Sequence, residues 1–279
     1  MPGLSLFWDR VALSFYTLGL LATIGVLFWH QERFFSLVRR LIGLGFLFQL
    51  VSVVETGYLA HHFPATQYSE TANLLSLLIA GIFLLAWRLY SPRGLPLVIE
   101  PLLFLLTFSS IYGPVGSARI GIQPAAQGLH NPWIYWHIIL SLLGIAGLAL
   151  AVAGSLLYLW TERQLKRKPL RASLARALPP LETLDRMTYL SLLFGFPLLT
   201  LGLVIGFYRA GLQWGVAGLH DPKILISVLT WALFLILLFV RWSSGWRGRR
   251  SALFILVCFL VAVAGWLSNS FSHLHDFVR

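Results

Sequence analysis

The chain has 279 residues, of which 58% are hydrophobic and only 11% are charged, and its mean hydropathy is +0.78. This composition excludes an ordinary water-soluble domain and indicates an integral membrane protein surrounded by lipid. The net charge of +11 does not indicate a nucleic-acid partner, because the basic residues stand in short segments between apolar runs, as they do in cytoplasmic loops. The single cysteine, Cys258, excludes an internal disulfide and a paired-thiol motif.

Eight apolar runs approach or exceed the length of about 20 residues that a helix needs to cross the hydrocarbon core. In chain order they cover residues 11–29, 41–60, 72–87, 95–112, 133–160, 188–208, 224–240 and 251–271. The sequence therefore predicts an all-α integral membrane protein, a bundle of about eight transmembrane helices that forms a single transmembrane domain over residues 1–279.

The basic residues predict the orientation of this bundle. The segments after the first, third, fifth and seventh runs are rich in Arg and Lys, whereas the alternate segments contain few beyond Arg119, Arg209 and Lys223. Since cytoplasmic loops hold the excess of positive charge, both termini are expected outside a bacterial-type inner membrane. Seven of the eight histidines then lie at or near the outer face: His61, His62, His130, His137, His220, His273 and His275.

The fifth run begins with a histidine, His137, at the predicted outer surface. Trp133, Tyr135 and Trp136 form an interfacial aromatic collar around it. Small residues, which let another helix or a flat ligand approach a helix backbone, recur from His137 along one face of this run. They are Ser141, Gly144, Ala151 and Ser155, with Gly147 and Gly154 beside them.

Two imidazoles at the same height of the membrane favour a haem site. Neutral histidine is a strong iron ligand, and two histidines can fill both axial positions of haem. A structural zinc site is less favoured, because it needs four close nitrogen or sulfur ligands and no thiolate is expected outside. We therefore expect His137 to pair with His273 or His275, both of which follow the last apolar run.

A series of short motifs runs in a fixed order from His62 to the C-terminus. They are His62-Phe63-Pro64 with Glu70; His137 followed by residues 153–157; Leu184-Asp185 and residues 195–200; Asp221-Pro222-Lys223 with Trp231; and Arg247-Gly248. In this order they resemble the CcsA/HemX/CcmC superfamily, membrane proteins of cytochrome c assembly and haem handling. The similarity covers a core of about residues 40–279 and is closer to the short HemX-like branch.

The resemblance implies a protein that holds haem b at the outer membrane face by two histidines, for haem handling or cytochrome c maturation. A second membrane protein is its expected partner. The implied cofactor-binding residues, of which the first three would ligate the metal, are His137, His275, His273, Trp214, Asp221, His220, Trp136 and His62.

The sequence also departs from the family pattern at two places. Gly218 and His220 stand where the tryptophan-rich external loop of the family, here 214–221, would have two further tryptophans. An intramembrane histidine of the family falls on Phe239, which cannot ligate iron, so a second, inner haem site is not expected.

Two other hypotheses stay open, and whether the chain is an enzyme is left open with them. A HemX-like regulatory or scaffold protein would act without catalysis through its basic cytoplasmic loops, above all residues 166–186, part of which is either an amphipathic helix or a solvated loop. A transporter or enzyme unrelated to haem would use the acids Glu55 and Glu100, because ionisable groups at membrane depth are costly and usually face a cavity or a partner.

Overall fold

A computed structural model describes residues 3–29, 33–60, 63–65, 67–91, 94–113, 132–166, 179–218 and 222–267. Within these ranges the regular structure is entirely α-helical. The helices are α1 (Gly3–Trp29), α2 (Arg33–Ala60), α3 (Tyr68–Tyr90), α4 (Pro96–Tyr112), α5 (Pro132–Lys166), α6 (Leu181–Gly218), α7 (Pro222–Ser243) and α8 (Arg249–Leu267). Within the described residues, each apolar run of the sequence overlaps a separate helix.

The described helices have the length and composition of membrane spans. Five of them contain segments long and apolar enough to cross a bilayer, and α4 is a shorter apolar helix. The five segments are Phe35–Ala60, Tyr68–Tyr90, Trp133–Lys166, Leu181–Leu212 and Ile224–Ser243. The all-α membrane fold is therefore confirmed, while the outward orientation of both termini stays a prediction.

The helix ends differ from those that hydropathy predicts. The helix α6 begins at Leu181 rather than at position 188 and ends at Gly218 rather than at position 208. With 38 residues it is about 57 Å long, well beyond a hydrocarbon core of about 30 Å. The predicted external loop 214–221 is therefore wrong as far as Gly218, because backbone hydrogen bonding continues past the apolar part of the helix.

The chain divides into two compact units. Unit 1 consists of Met1–Pro124 and Trp160–Leu184, and unit 2 of Ala125–Leu159 and Asp185–Arg279. In unit 1, α1 packs against α2 and α4, and α3 also packs against α2 and α4. That the chain forms a single transmembrane domain stays a prediction.

Buried hydrogen bonds join all four of these helices in unit 1. The Tyr16 hydroxyl donates to Gln49 Oε1 at 2.9 Å, Gln49 Nε2 donates to Asn73 Oδ1 at 2.7 Å, and Asn73 Nδ2 donates to Asp9 Oδ1 at 2.9 Å. Gln49 Nε2 also lies 3.3 Å from Thr107 Oγ1 on α4. All five side chains are buried. Because an unpaired buried polar group is costly, this network specifies the register of the four helices.

Unit 2 has an apolar core to which α5, α6, α7 and α8 all contribute. Its buried members are Leu148, Ala151, Val152, Leu192, Phe234, Leu237, Ile255 and Cys258. The phenyl ring of Phe234 on α7 is the largest of these side chains. The core of unit 2 is therefore built from apolar side chains, whereas unit 1 also buries a network of polar side chains.

The buried hydrogen-bond network in unit 1 is expected to stabilise the fold, and replacing Gln49 tests this. Gln49→Leu removes the acceptor of the Tyr16 hydroxyl and the donor to Asn73 Oδ1, and each buried group left unpaired costs about 1–3 kcal/mol. We expect a clear loss of stability for the purified protein in detergent, measured by thermal unfolding. Gly43→Ala on the same helix is the matched control, since an added Cβ at Gly43 meets nothing within 4 Å. Equal stability of the two variants would contradict a stabilising role for the network.

Candidate functional site

The helices α5 and α6 pack with their backbones in contact along a seam of small residues. A Cβ on Gly202 would lie 2.8 Å from the backbone nitrogen of Ser141, and a Cβ on Gly144 would lie 3.0 Å from Leu199 Cα. Residue numbers rise along one helix as they fall along the other, so the helices are antiparallel. The same close approach of the backbones recurs at Gly147 with Gly195, and Gly154 lies against the Thr188 side chain. A helix, rather than a flat ligand, thus covers this part of the small-residue face.

His137 lies at one end of the seam, half-buried on α5. Its Nδ1 is 2.6 Å from the carbonyl oxygen of Gly202 on α6. Since a carbonyl only accepts hydrogen bonds, Nδ1 donates in this contact, and in the neutral tautomer with this bond the lone pair that can bind a metal is on Nε2. A backbone carbonyl on the second ring nitrogen is the usual support of a metal-bound histidine.

A glycine on α6 makes room for this ring. A Cβ on Gly206 would lie 2.5 Å from His137 Cε1 and 2.7 Å from His137 Nδ1. Both distances are too short for real atoms, so the imidazole occupies the space that any larger residue would fill. One helix therefore supplies both the hydrogen-bond acceptor and the space for the ring.

A basic side chain follows on the same stretch of α6. Arg209 is three residues beyond Gly206, and its Nε atom is buried without a hydrogen-bond partner. A buried guanidinium N–H without a partner favours an anionic group at this position. The two tryptophans near His137 are more exposed, Trp133 at 58% and Trp136 at 56%, as is usual for aromatic side chains at a membrane interface.

The other predicted site residues lie outside what the structure describes. This applies to His62, His220, Asp221, His273 and His275. The backbone of Trp214 belongs to α6, but its side chain is outside the described part. The pairing of His137 with a C-terminal histidine therefore stays a prediction. Among the described residues, no group of three or more His, Cys, Asp and Glu side chains could hold a metal ion.

The motif at residues 195–200 has a packing role. Gly195 lies against Gly147, and the Trp231 indole N–H donates to Thr200 Oγ1 at 3.0 Å. The indole ring also stacks on Phe196, with ring centroids 5.9 Å apart. These motif residues thus join α6 to α5 and α7. The motif acid Glu70 is likewise structural, because its Oε2 accepts a hydrogen bond from the Gln67 backbone at the start of α3, at 3.4 Å.

A partly buried ion pair lies at the opposite end of the seam from His137. Asp185 Oδ2 is 2.6 Å from Arg241 Nη2, and Asp185 Oδ1 accepts a hydrogen bond from the Gly248 backbone at 3.1 Å. Arg241 Nη1 also donates to Ser251 Oγ at 2.8 Å, and the guanidinium lies 4.7 Å from the ring centre of Tyr189. These contacts join α6, α7 and the start of α8.

The resemblance included Asp185 and Gly248 but missed Arg241, which the sequence shows only as one of many basic residues near a helix end. Its partner is 56 positions away in the sequence, so no local pattern indicates the pair. Phe239, the position of the family's intramembrane histidine, is 60% exposed on α7. That an inner haem site is missing stays a prediction.

Comparison with known proteins places these observations in a family. Residues 95–275 match the family model described as cytochrome C assembly protein. A cytochrome c biogenesis protein CcsA from Prochlorococcus marinus strain MIT 9215 is 30% identical over 96% of this chain and 93% of that protein. The proteins of the same name from Guillardia theta and Chlamydomonas reinhardtii are 29% and 26% identical, over 78% and 81% of this chain and 75% and 63% of theirs.

The ion pair between Asp185 and Arg241 is expected to stabilise the fold, and replacing Arg241 tests this. Arg241→Met leaves the carboxylate without its charged partner, and breaking one side of a buried pair costs about 3–5 kcal/mol. We expect a loss of stability near the lower limit of this range, because the Asp185 side chain is 20% exposed. Lys166→Met is the contrasting variant, since the Lys166 side chain is 66% exposed in its pair with Glu162 and such a pair contributes less than about 1 kcal/mol. Thermal unfolding of both variants in detergent measures the difference, and similar losses would contradict the assignment.

Proposed function

The chain belongs to the cytochrome c assembly protein family, and we propose that it binds haem b at the outer membrane face for haem handling in cytochrome c maturation. In this proposal His137 is one axial ligand, and His275 or His273 is the other. In this proposal haem is the cargo of the protein. The family and the apolar helices make the protein a multi-pass membrane protein, and a bacterial-type inner membrane stays its predicted location.

The hydrogen bond from His137 Nδ1 to the Gly202 carbonyl supports the proposal most directly. It fixes the tautomer in which Nε2 can bind iron, and it holds the ring in one orientation. Haem brings four equatorial nitrogen ligands of its own, so a single imidazole from α5 is enough for one axial position. The arrangement around His137 therefore fits a haem better than a metal ion that needs all its ligands from side chains.

Arg209 supports the same assignment through charge. Haem has two propionate groups, and an arginine is well suited to bind a carboxylate. The buried and unpartnered Nε of Arg209, three residues from Gly206, would pair with such a group. Within the proposal, α6 thus contributes the Gly202 carbonyl, the space at Gly206 and a cation.

Attachment of haem to a cytochrome would need a partner that supplies thiols. The one cysteine of this chain, Cys258, is free and buried in the core of unit 2. It is therefore unsuited to react with haem or to reduce another protein's thiols. We infer that a second membrane protein or the cytochrome apoprotein itself provides that chemistry. The HemX-like regulatory function through residues 166–186 stays a prediction, and positions 167–178 of that segment lie outside the described residues.

An absorption spectrum of the purified protein tests the haem site. We expect the bands of six-coordinate, bis-histidine b-type haem, and a pyridine haemochrome assay measures the amount bound. His137→Ala should remove most of the haem, because the remaining ligand alone holds it weakly, and added imidazole should restore part of it. His130→Ala, another predicted outer histidine outside the proposed ligand set, is the control and should keep the wild-type spectrum.

Two results would end the haem proposal. One is a purified protein without b-type bands after expression with sufficient haem. The other is a set of bands that stays unchanged when His137, His273 and His275 are all replaced. Single replacement of His273 and His275 decides between them as the second ligand.

Gly206→Ala tests the geometry of the proposed ligand. The new methyl group would meet the His137 ring, so the ring must move and its bond to the Gly202 carbonyl weakens. Loss of such a supporting contact lowers metal affinity about 10–100-fold, and we expect haem affinity to fall by about tenfold. Gly211→Ala on the same helix has an equal gain in helix propensity but meets nothing within 4 Å. Equal haem titration curves for the two variants would show that α6 does not position His137.

A further inference from the structure

Unit 1 contains a buried carboxyl group, that of Glu100, which has no part in the proposed haem site. Glu100 on α4 has no exposed surface, and neither of its carboxyl oxygens has a hydrogen-bond partner. The carboxyl group contacts α1 at Gly19, where an added Cβ would collide with Glu100 Oε1. A buried carboxylate without a partner is far more costly than the neutral acid.

Among the described residues, no cation is hydrogen-bonded to Glu100 to compensate an ionised form. Thr23, one turn beyond Gly19 on α1, also has a buried hydroxyl without a partner. Pro101 lies inside α4 directly after Glu100, and since proline has no N–H, the carbonyl of Leu97 lacks its helical donor. The described polar groups near this level of α1 and α4 therefore include the Thr23 hydroxyl, the Leu97 carbonyl and the Tyr16 hydroxyl.

Of the titratable groups described on the neighbouring helices, Tyr16 interacts electrostatically with Glu100. Tyr16 is one turn before Gly19 on α1 and donates to Gln49. Arg39 and Arg40 on α2 and Arg88 on α3 are exposed. The acids on these helices are Asp9 on α1, Glu55 on α2 and Glu70 on α3, and Asp9 and Glu70 take part in the hydrogen bonds to Asn73 and Gln67.

The enclosed Glu100 carboxyl group has room to bind a proton but not a larger ligand. A metal cation would need several oxygen ligands around it, whereas both Glu100 oxygens are fully enclosed and packed onto the α1 backbone. Glu100 is one helical turn, about 6 Å, from Pro96 at the start of α4, and Leu95 and Pro96 are themselves buried. Side-chain amides do not pass protons on readily, so the network through Gln49 and Asn73 is a separate, structural feature.

We propose that Glu100 is a proton-binding site within unit 1, where the neutral acid packs against Gly19 and release of the proton to water loosens the contact between α1 and α4. The haem proposal and this one are independent, since they rest on different residues in different units. The site gives the N-terminal helices a protonation equilibrium that the haem ligands do not share.

Infrared spectroscopy of the full-length protein in lipid tests the proposal directly. A protonated carboxyl group has a C=O stretch that is separate from those of carboxylates and backbone amides. We expect this band in the wild type at neutral pH, its loss in Glu100→Gln, and its persistence in the matched control Glu162→Gln, because Glu162 is paired with Lys166. The Glu100 band should weaken as the pH is raised.

Thermal unfolding supplies a second measurement. An ionised Glu100 is costly in this environment, so the wild type should lose stability with rising pH, and Glu100→Gln should lose less. If Glu100→Gln does not fold, Gly19→Ala is the alternative variant, because its methyl group displaces the carboxyl and should shift the C=O band. Gly43→Ala is its control, with open space around the added Cβ.

Three outcomes would overturn the proposal. The first is a C=O band of equal strength in the wild type and in Glu100→Gln, and the second is the same pH dependence of unfolding in both. The third is loss of the band on adding sodium or potassium ions at constant pH, which would make Glu100 a site for a metal cation.

Discussion

The backbone contact between α5 and α6 is the constraint on which the proposed haem ligand depends. In a bilayer, lipid tails solvate apolar side chains as well as a neighbouring helix does, so helices associate through close packing and hydrogen bonds. Glycines at 144, 147, 195 and 202 provide that packing. The same closeness brings the Gly202 carbonyl within 2.6 Å of His137. The orientation of the imidazole is thus a consequence of helix packing, and the two cannot be changed independently.

The two units hold their helices together by different physical means. Unit 1 uses a buried network of hydroxyl, amide and carboxyl groups that meets α1, α2, α3 and α4 at one level. Unit 2 uses close backbone packing, an apolar core and one partly buried ion pair at Asp185. Hydrogen bonds are directional and apolar contacts are not, so unit 1 has its register specified by polar partners and unit 2 by the spacing of its glycines.

Much of this architecture could be predicted from the sequence, and the failures have a common cause. Hydropathy located every helix in the described part of the chain, and the spacing of small residues indicated the face of α5 that packs closely. The ends of α1, α2 and α6 were misplaced because hydropathy detects the hydrocarbon and not the helix. The pairs Arg241 with Asp185 and Gln49 with Tyr16 were missed, because their members are 56 and 33 positions apart. Periodicity identifies the face of a helix, but it does not identify the partner across a contact.

Most residues of the family motifs that the structure describes have packing roles, and this bears on what family membership means here. Gly195, Thr200, Asp185 and Gly248 join helices to one another. Similarity across such positions is therefore strong support for a shared scaffold, and a scaffold by itself does not define chemistry. His137 differs from them, because its ring nitrogen is supported by a carbonyl in the way that metal ligands are. His137 adds to its packing contact an imidazole that can ligate iron, and the proposed haem site depends on it.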